Sequence, residues 1–524
     1  MRGSNEQDRA EELIIDEEMN WGEEDPDCPR VVITKEEKAR IRRPWHRSLI
    51  VRVLGKRVSY SYLYQRMKAM PISGPKLSRE NATTIKSPPS CISRHFQSHI
   101  SFAARRREAL HSQRRLFPYV DMFKWLSYGN DGKHPGCDQS YFGRREFSFT
   151  LDNNIYLRYQ SFNSASDLEN AIKEKCPFKI DIGAVYNVDP AKRHAYGQGD
   201  NNFTPLEREL VFDIDISDYD DVRYCCSGAD VCSNCWPLMT VAIKVIDTSL
   251  REDFGFNHIL WVYSGRRGVH CWVCDLKARR LNNEQRAAVA DYFRVYKGNE
   301  NSNRKVSLMG PALHPFLVRS YTEVLKDFFE NKLLLSQNLF SSQERCEKIL
   351  EMIPDEHIVS ELRAKWQENK RVKDDINVFR WEQLKHLLQS GKQKAQGIRR
   401  CVEEIVFSFT YPRLDMEVSR HLNHLLKAPF CVHPQTGRVC IPIDPKECEE
   451  FDPADAPTLS RLLGELNTGG FRADMDSEWD GTSLGKSIRY FRQSFLQPLL
   501  KSCKDDIESC YSAKVQQGKN PLSW

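Results

Sequence analysis

Val211-Phe212-Asp213-Ile214-Asp215-Ile216-Ser217-Asp218-Tyr219-Asp220-Asp221-Val222-Arg223 is the stretch on which the fold turns. Apolar and acidic residues alternate through its first half, which is the period of a strand with one face on a core. Asp213 and Asp215 stand two residues apart, so both carboxylates project to the same side. Carboxylates held that close repel, and each keeps its charge at a cost unless a cation lies between them. Hard oxygen ligands suit Mg²⁺ or Mn²⁺, which makes the pair a candidate divalent-metal site. An isolated Asp-x-Asp is more often a solvated strand end, so its neighbours must decide. Asp218, Asp220 and Asp221, equally acidic, read as bystanders.

Immediately downstream, Cys225, Cys226, Cys232 and Cys235 place four thiols within eleven residues and end in a Cys-x₂-Cys knuckle. That spacing suits a closed, tetrahedral, structural Zn²⁺ site, against the alternative of free buried thiols. Cys271 and Cys274 share the Cys-x₂-Cys spacing but lie in a strand pattern, where i and i+3 face opposite sides. Residues 260–273 read as strand, tight glycine turn, strand, and the turn gathers Ser264, Arg266, Arg267 and His270. Two guanidinium forks, a hydroxyl and an imidazole can receive a triphosphate. The plainer alternative is a hairpin with exposed arginines. Much later, Tyr411 to Asp415 reads as a strand carrying a third acid. His424, Lys427 and the turn Cys431–Arg438, with His433, then add cationic groups.

Around these motifs the chain is mixed α/β. An amphipathic helix carries Met122, Trp125 and Leu126, strands follow at 145–151 and 155–159 about an Asp152-Asn153-Asn154 turn, and a helix spans 166–175 with Ser166 and Glu169 at capping-box spacing. Strands at 179–186 and 209–216 and a helix at 237–250 complete the first part. Residues 282–401 are helical in pattern, with Leu317, Tyr321, Val324 and Phe328 on one face. The tail from Glu447 is acidic, loose around Gly469-Gly470, and closes in a helix near 487–500. The expected organisation is a poorly ordered extension (1–104), a core in two parts (105–300 and 401–505), a helical subdomain between them (301–400), and a tail (506–524).

The 524 residues carry a net charge of only +5, which permits a nucleic-acid partner without demanding one. No apolar run approaches the ~18 residues that span a membrane. The N-terminus shows no secretory h-region, and 17 Cys then argue for a reducing compartment. Residues 1–28 are acidic and expected to be disordered. The run 33–70 resembles the start of a plant domain found in retroelement-associated proteins. It breaks off at a Pro/Ser/Thr-rich linker and is read as a fused fragment. Arg105-Arg106-Arg107 is open to two readings, a weak nuclear-import patch or, as is commoner for such a run, a solvated helix face.

The segments REFSFTL, IYLRYQSF, KIDIGAVY, ELVFDIDISDYDDVRYCC, DFGFNHILWVYSGRRGVHCWVCD, YPRLDMEVSRHLNHLLKAPFCVHPQTGR and TSLGKSIRYF resemble the small, catalytic subunit of eukaryotic DNA primase, from about Arg114 to about Leu500. The resemblance implies an archaeo-eukaryotic primase core, α/β with an inserted helical subdomain. It implies a Mg²⁺/Mn²⁺ triad of Asp213, Asp215 and Asp415. The nucleotide site it implies comprises Ser264, Arg266, Arg267, His270, Lys427 and His433 with Arg158 and Asp181, and the zinc ligands Cys225, Cys226, Cys232 and Cys235. The implied activity is synthesis of short RNA primers on single-stranded DNA by two-metal nucleotidyl transfer, in the nucleus. The implied partners are a primase large subunit and the catalytic and accessory subunits of DNA polymerase alpha. A repair-type primase-polymerase and a non-enzymatic, retroelement-type nucleic-acid binder are the competing readings.

Overall fold

The computed structural model describes residues 117–519, apart from the short segments 152–154, 197–201, 297–305, 307, 309–311, 369–374, 391–397, 399, 469–478 and 480. The expectations for the N-terminal extension, for the 152–154 turn and for Gly469-Gly470 lie outside the described residues.

Alternation in the sequence produces two antiparallel sheets. The first contains β1 (Arg145–Thr150), β2 (Tyr156–Gln160), β3 (Lys179–Tyr186) and β4 (Pro205–Glu207) in the order β2-β1-β3-β4. The second contains β5 (Leu210–Asp215), β6 (Ile259–Tyr263), β7 (Gly268–Val273) and the two-residue β9 (Pro442–Ile443) in the order β5-β7-β6-β9. Another two-residue strand, β8 (Leu426–Lys427), joins the first sheet by pairing with β3.

Phe147, Phe149, Ile180 and Ile182 share the buried core with Met122, Trp125 and Leu126 of α1 (Tyr119–Ser127) and with Leu168 and Ile172 of α2 (Ala165–Lys175). The intervening residues of those strands, Glu146, Ser148 and Asp181, are polar and form a second face of the first sheet. α2 is capped by Ser164, whose side chain accepts from the Asp167 N–H at 3.1 Å, and not by the expected Ser166. Ser164 has the extended backbone a cap needs, whereas Ser166 is already inside the first turn. α3 (Pro237–Glu252) starts on a proline, where a missing N–H costs nothing, and its Asp247 accepts from the Trp261 indole of β6 at 3.0 Å.

Helices continue from Pro315 to Ser336 through two widened turns, Tyr321–Leu325 and Phe329–Leu333, and onward as Gln343–Leu350, Glu356–Glu368, Ile376–Ser390 and Cys401–Thr410. The expected apolar stripe is realised, with Phe328 buried and Leu317, Tyr321 and Val324 packed against the core. Two expectations need correction. Tyr411 to Asp415 is no strand: Pro412 has no N–H to offer a ladder, and Asp415 instead caps the short helix Met416–Arg420. The final helix runs far beyond 500, from Gly485 to Lys519 through a widened stretch at Phe491–Leu496. Contacts with the loop after α1 support its extra turns, including His134 to Glu508 at 2.8 Å and an edge contact of His134 with Tyr511.

A buried ion pair ties β1 to the start of β5. Arg145 and Glu209, both fully buried, meet through two contacts of 2.9 and 3.0 Å, and the Tyr128 hydroxyl donates to Glu209 at 2.6 Å. Burial opposes the Glu209 charge, but the Arg145 guanidinium and the Tyr128 hydroxyl hold its carboxyl down to about 2. The folded pKa lies below the unfolded one, so this stabilisation is present above about pH 4.3 and is lost as pH falls toward 2. Glu209→Ala is expected to cost about 3–5 kcal/mol in chemical denaturation, because it strands the Arg145 charge.

Candidate active site

β5 and β7 pair so that Asp213 faces His270 and Asp215 faces Gly268. A Cβ on Gly268 would lie 2.2 Å from the Ile214 carbonyl oxygen, so only glycine lets the strands approach here. Asp415 reaches the same strand by donating its N–H to the Asp213 carbonyl at 3.0 Å. The Asp213 carboxyl is pushed up to about 7, first by burial and then by the Asp215 and Asp415 carboxylates. That is the signature of acids that share space without enough positive charge. The three side chains do not form a tight cluster, because each is held by its own neighbours. Asp215 meets Arg267 at 2.5 Å and accepts from the Ser217 N–H and hydroxyl at 3.0 and 2.9 Å, while Asp415 accepts from the Glu417 N–H at 3.0 Å.

Cationic groups face this acidic edge across the seam between the sheets. Lys427, opposite Asp181 in the β3–β8 pair, donates from Nζ to the Ser264 carbonyl and so joins the first sheet to the β6–β7 turn of the second. Ser264 closes that turn, its Oγ accepting from the Gly268 N–H at 3.0 Å. Gly265, at φ +85°, lets His433 close in, since a Cβ there would sit 2.8 Å from that of His433. His433 is driven down to about 3 by burial and then by Lys427, Arg266, Arg267 and Lys179, and its Nδ1 accepts from the Gln435 N–H at 3.3 Å. It is therefore neutral, with its proton on Nε2. His270 is also held well below its usual range, by burial and then by Lys427 and Lys179; its Nδ1 has no partner among the described residues, and its Nε2 lies 3.6 Å from Asp213.

The remaining candidates are more dispersed. Asp181 is buried, bonded to Ser148 at 3.0 Å and paired with Lys179 at 3.0 Å. Arg158 is clamped by both oxygens of buried Glu146, at 3.0 and 3.2 Å. Arg266 lines a separate cleft of about 540 Å³ together with Cys232, Tyr263, Thr436 and Arg438.

Cys225, Cys226, Cys232 and Cys235 bring all four Sγ atoms within 4.8 Å of one another. The Cys232–Cys235 separation of 3.9 Å matches the roughly 3.8 Å edge of a tetrahedron with 2.3 Å Zn–S bonds. The surroundings suit thiolates: the Cys232 N–H points at the Cys235 sulfur at 3.3 Å, and buried Arg223 lies 3.6 Å from it. Cys274, by contrast, accepts from the Trp125 indole and belongs to the core.

Sequence reading missed several participants. Lys179 stands two residues before Asp181, so strand alternation alone puts it on the same face. Asp218 is no bystander, since its carboxyl is pushed up to about 6 by burial and then by Asp215. Asp220 and Asp221 are structural: Asp220 binds Arg223 and the Gly228 N–H of the thiol loop, and Asp221 pairs with Arg413. Gln337, from the helical region, clamps the thiol loop through the Tyr224 and Cys225 N–H groups, the Cys225 sulfur and the Asn234 carbonyl. No local pattern announces it.

Acids crowded at a strand end, with one guanidinium already drawn to them and a collar of lysine, arginine and neutral histidine facing them, are the equipment of a nucleotidyltransferase. Comparison with known proteins narrows this. A sequence model described as DNA primase small subunit matches residues 212–445. The DNA primase small subunit of Schizosaccharomyces pombe is 42% identical over 362 residues, covering 68% of this chain and 76% of the relative. Those of Drosophila melanogaster (42% over 361 residues; 68% and 80%) and Saccharomyces cerevisiae (39% over 391 residues; 74% and 90%) agree. The chain belongs to the DNA primase small subunit family, and its activity is that of a DNA-directed RNA polymerase.

Proposed function

We propose that this chain makes short RNA primers on single-stranded DNA from ribonucleoside triphosphates. The observation that carries the reading is the placement of Asp213 directly across from His270, with Asp415 bonded to the Asp213 backbone and Lys427 on the other side of the seam. Asp213, Asp215 and Asp415 would hold two Mg²⁺ or Mn²⁺ ions, whose charge activates the attacking 3′-hydroxyl and steadies the leaving pyrophosphate. Arg267 is tied to Asp215 in the free protein and is placed to exchange that partner for a phosphate. Neutral His433 donates Nε2–H to a phosphate oxygen, and Lys427 adds fixed positive charge as charge develops on the α-phosphoryl group. Ser264 shapes the turn, Asp181 orients Lys179, and Arg158 is aimed by Glu146. Arg266 lies at the side of the collar nearest the thiol loop.

The four cysteines are read as a structural Zn²⁺ site. Their position inside the core favours a replicative primase over a repair-type relative, and metal-poised acids are superfluous for a mere binder. A primase large subunit and DNA polymerase alpha subunits, in the nucleus, are the partners this role calls for. Arg267→Ala is expected to raise the KM for ribonucleotide roughly 10- to 100-fold. An unchanged KM in steady-state primer synthesis would move the triphosphate elsewhere.

A further inference from the structure

Tyr159, Arg193 and Phe203 form a surface beside Arg158 on the polar face of the first sheet. We propose that it is a contact for the single-stranded template. Tyr159 sits at φ +59°, a left-handed conformation that is strained for a non-glycine residue. Successive strand residues ordinarily face opposite ways, yet here the Arg158 guanidinium lies 4.8 Å from the Tyr159 ring centre. Glu146 holds this arrangement, accepting from the Tyr159 N–H at 3.2 Å as well as from Arg158. The Arg193 guanidinium lies over the same ring at 4.2 Å. Phe203 packs its edge against Tyr159 and stacks on Tyr186 at 4.0 Å, and the Tyr186 hydroxyl donates to Glu146.

Tyr159, Arg193 and Phe203 all remain half-exposed. The Arg158 charge is spent on Glu146, whereas no carboxylate among the described residues pairs with Arg193. Packing alone would be served as well by an apolar side chain in place of Arg193. A guanidinium with no carboxylate partner among the described residues, set on an aromatic ring next to further rings, is what a flexible polynucleotide needs. Bases stack on such planes without regard to sequence, and phosphates meet guanidinium N–H groups. The inference rests on the reading of the chain as a template-directed polymerase, because it assigns that enzyme's template to this face.

The test is fluorescence anisotropy of a labelled oligo-dT with the full chain at several salt concentrations. Arg193→Ala should weaken binding roughly 3- to 10-fold and flatten the slope of log K against log salt by about 0.7. Arg193→Lys should restore the slope but not the whole affinity. Tyr159→Gly, which suits the positive φ, should weaken binding as Arg193→Ala does. Wild-type affinity and slope in all three variants would overturn the proposal, as would a loss confined to binding of the large subunit. Primer synthesis by the wild-type chain is scored separately. An inactive chain whose DNA binding depends on Arg193 refutes the catalytic reading alone, and an active chain whose DNA binding ignores Arg193 refutes this one alone.

Discussion

Asp213→Asn is expected to abolish primer synthesis, by on the order of 10³-fold or more, while making the metal-free protein more stable. The two effects have one cause. In the free protein Asp213 is a largely buried carboxyl on β5, crowded by Asp215 and Asp415 and pushed up to about 7, first by that burial. Its folded pKa lies above its unfolded one, so the stability linked to it is intact below about pH 3.9 and declines as pH rises toward 7. Asn keeps the shape and removes the charge, and a gain of about 1 kcal/mol, a few degrees in Tm, should follow at pH 7.5 in chelator. A residue that only braced the fold would lose stability along with activity. Opposite signs in the two measurements separate a functional acid from a structural one, and a fall in Tm would contradict the account.

The second large effect is expected at the thiol loop. Elemental analysis should find about one equivalent of zinc, and Cys232→Ser should remove it at a cost on the order of 3–5 kcal/mol. Cys232 is the thiol best prepared to ionise: burial opposes its charge, yet the Asn234 N–H and the neighbouring thiols draw it down to about 7. Cys225 is pushed up to about 11, chiefly by burial. Without a cation, four thiols so close cannot all be charged, and with one they can. Because Cys232 and Arg266 line the same cleft, zinc loss should also disturb nucleotide binding. Gln337→Ala, which removes the clamp but no ligand, should loosen the loop and keep the metal. A folded protein free of zinc would refute the site.

What sequence could reveal here was whatever repeats locally. The alternation at 211–215, the Ser264–His270 turn and the four thiols are each complete within a dozen residues; strand, turn and thiol cluster form where their patterns put them, although Arg266 lines a cleft separate from the rest of its turn. What it could not reveal were relations set by tertiary contact. The Tyr411–Asp415 segment reads as a strand because its residues suit one, but Pro412 and the capping role of Asp415 decide otherwise. Asp218 and Asp221 are indistinguishable in sequence, and only the position of Arg413 neutralises one and leaves the other among the acids. Gln337 is separated from the loop it clamps by more than a hundred residues.

Incorporation of radiolabelled ATP on unprimed poly-dT, by the purified chain supplied with Mg²⁺ or Mn²⁺ and with a primase large subunit, tests the central claim most directly. A ladder of short RNA products is expected, one that requires template and divalent metal and disappears in Asp213→Asn. No incorporation by a folded, zinc-loaded chain, or undiminished incorporation by Asp213→Asn, would contradict it.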